Sequence, residues 1–412
     1  MGSMRLNLSK KKVLLISFLV IGIVISVVIF FPMVEEEPYF ITIKNNEDLE
    51  FWSSSGNGTI ENPYSIEGHH ITVPRNDPDD FDVPCFPEYS VISIRNITKS
   101  FIIQNNIIEV KGGCEDNQQY IISMADISVP FTIRNNYLRG AGCFKLLNVN
   151  GFNSTISNNK IYYAGSSISN SHNINFIHNQ FTYSYSLYIY QCSNLSYIQN
   201  HFYLTSVGIR ECSRIILHDN IFENDDIYSG WTRLTVLETG HCTITDNSLI
   251  RAGLDLRSFY DYYPTAIISG NLVNGKPYGY FYNQSDVMIN SNTQYGQINL
   301  VKCNFSIVTD QIISHTSYSI HVKYCTNTII ANSTFSHCGQ AGVYIKYSSK
   351  THVLDCILED NHSGVRGENS PSIFVKRNLF RSLIFGVYLE TCSLQEEDNV
   401  FEDVDFQIRI FP

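Results

Sequence analysis

Between positions 225 and 263 the chain sets charged groups among aromatic rings. Asp225, Asp226, Asp255, Arg257 and Asp261 are interleaved with Tyr228, Trp231, Tyr260, Tyr262 and Tyr263, and Tyr278, Tyr280 and Tyr282 follow. A sugar ring is apolar on its faces and hydroxylated at its edges, so flat rings beside carboxylates and a guanidinium suit it chemically. The same aromatics equally serve to pack loops onto a body, and both readings stay open here.

Other groups carry weaker signals. Asp79, Asp80 and Asp82 lie in a Pro- and Asp-rich stretch, Thr72–Pro87, that reads as an exposed loop. They invite calcium but lack a DxDxDG ligand series, so no metal is assigned. Cys85 and Cys114 lie in irregular segments and are expected to form a disulfide clasping that loop. No CxxC or Cys/His spacing suggests zinc. His69-His70 reads as a surface turn. Five Met, with only Met124 and Met288 in the body of the chain, make a poor copper set. N-x-S/T sites at Asn57, Asn96, Asn153, Asn194, Asn283, Asn304 and Asn361 are glycosylation candidates; Asn332 is expected to point inward.

What must position these groups is a repeat. Tyr188–Phe202 (YIYQCSNLSYIQNHF) and Gly208–Phe222 (GIRECSRIILHDNIF) share Cys192/Cys212, Asn200/Asn220 and Phe202/Phe222. The landmark recurs at Asn106, Asn136, Asn159, Asn179, Asn200, Asn220, Asn247, Asn271, Gln311, Ser333, Cys356, Asn378 and Asn399, mostly in steps of 20 to 24 residues. Two positions later the residue is apolar in all thirteen, and before each Asn the apolar side chains alternate as in a strand. Gly, Ser, Asn and Asp between them break the strands into short pieces. Coils of that length stack by parallel hydrogen bonds, so like residues superpose as Asn ladders and Phe stacks. The expected fold is all-β: a single-stranded, right-handed parallel β-helix of about 13 coils. At about 4.8 Å per coil it is a rod roughly 60 Å long. Cys192, Cys212, Cys303 and Cys325 share one repeat position and read as small buried residues filling a bend. Asn46–Trp52 reads as a short helical cap for the first coil, opening on an N-cap Asn46. Three consecutive coils carry long excursions, Glu223–Gly240, Gly253–Pro264 and Asn274–Tyr295, which stacking should gather into one aromatic shoulder.

The string GxGTxxNPYxIEG over Gly56–Gly68 opens a run of NNxF-type coils. Together with Val273-Asn-Gly-Lys-Pro277 and Gly296–Cys303, it resembles the NosD-type β-helix proteins grouped as carbohydrate-binding and sugar-hydrolase domains, over residues 53 to 401. The resemblance implies the fold; that group mixes enzymes, binders and scaffolds. The NTD, GHG and RIK motifs of β-helix hydrolases are missing, with Gly240-His241-Cys242 only a partial match. Arg210, Glu211, Asp219, Glu223 and Arg257 only distantly approximate a lyase set.

Val13–Val34 is uncharged and apolar, and 22 helical residues span about 33 Å, enough to cross a bilayer. Arg5, Lys10, Lys11 and Lys12 precede it and Glu35–Glu37 follow, which places the tail in the cytoplasm and the rest outside. The expected organisation is a cytoplasmic tail (1–12), a single-pass transmembrane signal-anchor (13–34), a linker and cap (35–65) and the β-helix (66–412). Without the tail's 4 basic residues the remainder carries 28 − 4 = 24 basic against 39 acidic groups, or −15. That disfavours nucleic acid as a partner and permits glycans or cations. The expected function is a membrane-anchored extracytoplasmic β-helix that binds glycan or a cell-envelope component without catalysis. The alternatives are a cell-surface scaffold, associating through an uncapped C-terminal end, and a polysaccharide lyase or hydrolase with a non-standard site.

Overall fold

The computed structural model describes residues 40–73, 90–111, 120–140, 142–163, 165–184, 186–225, 233–257 and 266–412. Outside them lie the tail and the expected 13–34 span, Asp79, Asp80, Asp82, Cys85 and Cys114. Asp226, Tyr228, Trp231, Tyr260, Asp261, Tyr262 and Tyr263 lie outside them too. Residues 42–412 form one compact unit. Among the described residues no helix is long and apolar enough to cross a membrane.

Each coil turns on single residues with positive φ. The residue before every landmark is one of them: Asn105, Asn135, Asn158, His178, Gln199, Asp219, Asp246, Gly270, Asp310, Asn332, Asp355, Arg377 and Asp398. One left-handed residue reverses a strand at modest cost, least for Asn, Asp and Gly. The bend throws the following landmark into the interior, where Asn200 and Asn220 are 1% and 0% exposed. This corrects the expectation for Asn332, which is the exposed bend residue while Ser333 turns inward.

The landmark asparagines form a continuous amide ladder. From Asn106 to Asn271 each Nδ2 donates to the Oδ1 of the next coil's Asn, at 2.9–3.1 Å. That Oδ1 also accepts the preceding Asn's backbone N–H, as Asn200 does from Asn179 at 2.9 Å. The bend's inward polar groups are therefore satisfied without water. A second bend follows Gln191, Glu211, Lys302 and Tyr324, and its inward residues are the cysteines, each donating its thiol to a carbonyl two residues back. All nine described cysteines are free thiols. A third bend carries Asn361, 4% exposed, whose Oδ1 accepts from the Cys338 amide and whose Nδ2 donates to the Phe335 carbonyl. Asn361 is thereby removed from the glycosylation candidates, because its amide nitrogen is consumed inside the coil. Asn57, Asn96, Asn153, Asn194 and Asn283 are exposed and Asn304 half-buried.

Between bends the strands stack in parallel register. Phe181, Phe202 and Phe222 are rung partners, with rings 5.0 and 4.8 Å apart and within 12° of parallel, all in the core. The result is an all-β, right-handed-type solenoid of about 12 turns. Helix Asn46–Trp52 is present, but its N-cap is Asn45, whose Oδ1 accepts from the Glu47 and Asp48 amides. Leu49 is its buried residue.

Among the described residues the stack breaks once, after Leu272–Val273. Leu272–Val273 turns through Asn274-Gly275, both at positive φ, into an antiparallel pairing with Lys276–Pro277. Two residues of left-handed backbone are what a tight hairpin needs. The chain then runs on as strand Lys276–Tyr282, which pairs in parallel with Gln297–Val301 and opens a second run of coils. Two of the expected excursions, Gly253–Pro264 and Asn274–Tyr295, thus contain ladder strands (Gly253–Arg257 and Lys276–Tyr282), and Glu223–Gly240 contains Arg233–Leu237.

Candidate functional site

The seam between the two runs is where ionisable groups collect. Strand Gly253–Arg257 ends its nine-stranded face, and the Gln297 side chain stands in for the missing neighbour. Its Oε1 accepts the Leu254 amide at 2.9 Å and its Nε2 donates to the Leu254 carbonyl at 3.0 Å. Against this strand lie the outward side chains of Gln297–Val301, Tyr318–Lys323 and Ala341–Lys346. Their inward partners Ile298, Leu300, Ile320, Val322, Val343 and Ile345 belong to the core, so alternation turns Asn299, His321, Lys323 and Tyr344 outward.

Outward is not exposed here. Asp255, Asn299, His321 and Lys323 are 0–2% exposed. Asp255 Oδ2 accepts from Arg257 Nε at 2.6 Å, and Arg257 Nη2 donates to the Tyr318 hydroxyl at 3.2 Å. Tyr318 in turn donates to Gln340 Oε1. The rings of Tyr318, His321 and Tyr344 stack at 4.7–5.7 Å between centroids. Above them Arg366 lies over Tyr344 and Tyr388, and Glu368 accepts from both Lys346 (2.6 Å) and Arg366 (2.9 Å). Four buried atoms of this group have no hydrogen-bond partner among the described residues: Asp255 Oδ1, Asn299 Oδ1 and His321 Nε2 at its floor, and Arg366 Nε above them. A buried, unpartnered polar atom costs on the order of 1–3 kcal/mol; hydroxyls such as Thr182 Oγ1 and Tyr197 Oη share that state elsewhere in the coils, and here the atoms belong to a carboxylate, an amide and an imidazole gathered together.

Charge follows the same pattern. Burial, then the neighbouring Lys323, Arg257 and Lys346, hold the His321 imidazole well below its ordinary value, so it is neutral. Burial and then Lys346 bring the Lys323 ammonium down to about 7. For Glu368 burial pushes upward, but hydrogen bonds from Lys346 and Tyr344 prevail and hold the carboxyl below its usual range. Between about pH 7 and the ordinary lysine value near 10.5, the unfolded chain keeps a proton that folded Lys323 has released. Folding stability from this group therefore rises with pH across that window. Lys323→Met is expected to be more stable than wild type at pH 6, with the gain shrinking by about 2 kcal/mol at pH 9. Urea unfolding at both values measures it; a gain that does not change with pH contradicts the assignment.

Of the sequence candidates, Asp255 and Arg257 stand in this cluster, on a strand rather than a loop. Asp225 accepts from the Tyr203 hydroxyl at 2.7 Å, and its carbonyl accepts from Arg251. Tyr278 is buried with its hydroxyl on Asn299 Nδ2, while Tyr280 and Tyr282 are half-buried with parallel rings. Tyr318, His321, Lys323 and Tyr344 escaped the sequence reading. Their signal was present: outward positions on successive rungs read His321–Tyr344–Arg366–Tyr388 and Lys323–Lys346–Glu368–Glu390.

Residues 232–402 match the family model described as periplasmic copper-binding protein (NosD), in keeping with the resemblance read from the repeat. No curated protein matches the chain. Among solved structures it is similar to the surface adhesin PfbA of Streptococcus pneumoniae (9% identity, 84% of this chain and 83% of that one, TM-score 0.36). It is also similar to the mannuronan C-5 epimerase AlgE4 A-module of Azotobacter vinelandii (11% identity, 90% and 94%, TM-score 0.28). The copper in the family description does not fit the described residues. No three His, Cys, Asp or Glu side chains among them converge on one point. Burial pushes the Cys242 thiol up to about 11 and Cys356 to about 12; the Cys325 thiol beside it brings Cys303 down to about 7, but that thiol is buried and bonded to the Phe281 and Val301 carbonyls, and Met288, the one Met in the matched span, is 67% exposed.

Proposed function

We propose that the chain is an extracytoplasmic parallel β-helix protein that binds a saccharide at the seam around Asp255, Asn299 and His321, without catalysis. Residues 13–34 are its single-pass anchor, with the N-terminus in the cytoplasm. The extracytoplasmic placement accords with the charge asymmetry around that span and with the periplasmic family matched by residues 232–402.

The observation that carries the reading is the trio of buried unpartnered atoms, two carbonyl-type acceptors and an imidazole nitrogen, beside half-buried tyrosines. Sugar hydroxyls both donate and accept and answer that set, and tyrosine faces answer the ring. Affinity electrophoresis of the full chain through gels holding neutral and acidic polysaccharides is the test, with product release assayed in parallel. Retardation without product is expected. His321→Phe, which keeps a ring against Tyr344 and removes Nε2, should lose about tenfold in affinity and keep its melting temperature. Migration unaffected by every polysaccharide refutes the reading, and so does a His321→Phe variant that binds as well as wild type.

A further inference from the structure

The outward column that ends at Asp255 continues back along the first run of coils. Rung by rung it reads Ser167, Tyr188, Gly208, Thr235 and Asp255, and beside it run Ser169, Tyr190, Arg210, Leu237 and Arg257. The residues between them, such as Ile189, Ile209 and Val236, fill the core, so both columns face outward on the one sheet that leads into the seam. Gly208 is the odd member. Glycine weakens a strand interior and often stands where a ligand or another backbone comes close. The strand glycines Gly253, Gly279, Gly364 and Gly367 are explained by packing, since a Cβ on any of them would lie 2.9 Å or less from a neighbouring side chain. At Gly208 the same Cβ would meet only Tyr188 Cδ2 among the described residues, at an ordinary 3.7 Å, and its φ is not left-handed. Neither packing among those residues nor the backbone requires a glycine there.

We infer that the saccharide is a linear, extended chain that leaves the seam along this sheet, passes over Thr235 and Gly208, and ends on Tyr188. This rests on the saccharide reading above and adds the ligand's length and linkage. Asp255 and Tyr188 are three rungs apart, about 14 Å. A pyranose unit of an extended chain is about as long as one coil is high, so the track holds three or four units. Next to the gap left by Gly208, the Tyr188 and Tyr190 rings lie within 14° of parallel, and Tyr188 is 40% exposed. They offer the apolar face of a sugar a surface to rest on. The Thr235 hydroxyl and Arg210, which is paired with Glu211 and lies over Tyr190, are polar groups for the sugar's edge. Because the charges of Arg210 and Glu211 offset one another, a neutral chain fits the track. A straight column of rungs suits a β-1,4-linked chain of equatorial sugars, which stays extended and keeps its faces flat, whereas an α-1,4-linked chain coils away from it.

Calorimetry of the full chain with cello-oligosaccharides of one to six units, and with maltohexaose, tests this. Affinity is expected to climb with length, cellotetraose binding about tenfold tighter than cellobiose, and then to level off, with maltohexaose no better than cellobiose. Gly208→Ile fills open space with a strand-forming side chain. It should melt no lower than wild type and lose the gain with length, while cellobiose binds as before. Tyr188→Ala should bind cellotetraose no better than cellotriose. Cellotetraose bound no tighter than cellobiose, maltohexaose bound as tightly as cellohexaose, or a Gly208→Ile variant that binds cellotetraose like wild type overturns the track and leaves the seam reading standing. If no cello-oligosaccharide binds, the track falls, and the seam reading falls with it only when the polysaccharide gels also fail to retard the chain.

Discussion

Asn200→Leu is expected to destabilise the chain by about 3–5 kcal/mol and to divide its unfolding into two transitions. Asn200 Oδ1 accepts both the backbone and side-chain N–H of Asn179, and its Nδ2 donates to the Phe176 and Ile198 carbonyls and to Asn220 Oδ1. Leucine leaves those groups buried with nothing to bond, at roughly 1–3 kcal/mol for each left unsatisfied. Because each coil touches only its neighbours, a weak rung uncouples the coils on either side. Urea unfolding followed by circular dichroism reads both effects, with the exposed Lys160→Ala as the control. A single transition with the control's midpoint would mean that the ladder contributes nothing.

Phe202→Ala should cost a similar 3–5 kcal/mol. Its ring is sandwiched between Phe181 and Phe222 at 5.0 and 4.8 Å, and it is fully buried. Removing it forfeits two stacking contacts as well as buried area, and a column flanked by rigid rungs closes poorly over the gap. Phe51→Ala, at a ring 79% exposed, should stay within about 0.5 kcal/mol of wild type. Equal effects from the two substitutions would show that the interior column does not exist in solution.

Both expectations were legible before the structure, because a solenoid writes its packing into the sequence once per coil. The Asn landmark, the apolar residue two places on and the shared Cys position all report the environment of one bend, and repetition raises each above chance. Smaller features were misjudged where the repeat offered no second copy. The helix cap fell on Asn45 rather than Asn46, and Asn332 and Asn361 exchanged the roles expected of them, because which Asn turns inward depends on where a single left-handed residue falls.

The site divides the same way. Asp255 and Arg257 stood out in the chain by their company of aromatics, but Tyr318, His321, Lys323 and Tyr344 did not, being separated from them by some sixty residues or more, with Tyr344 a further coil beyond the strand that holds the other three. The sequence by itself determined the coil, the bends and the columns, since those depend on neighbours one period away and each period repeats the same balance of burial and hydrogen bonding. Only the tertiary structure decided that the stack breaks at Asn274-Gly275 and lays strand Gly253–Arg257 against the outward side chains of the coils beyond. Among the described residues that contact occurs once, so no repetition records it, and it converts ordinary outward positions into a buried, charged site.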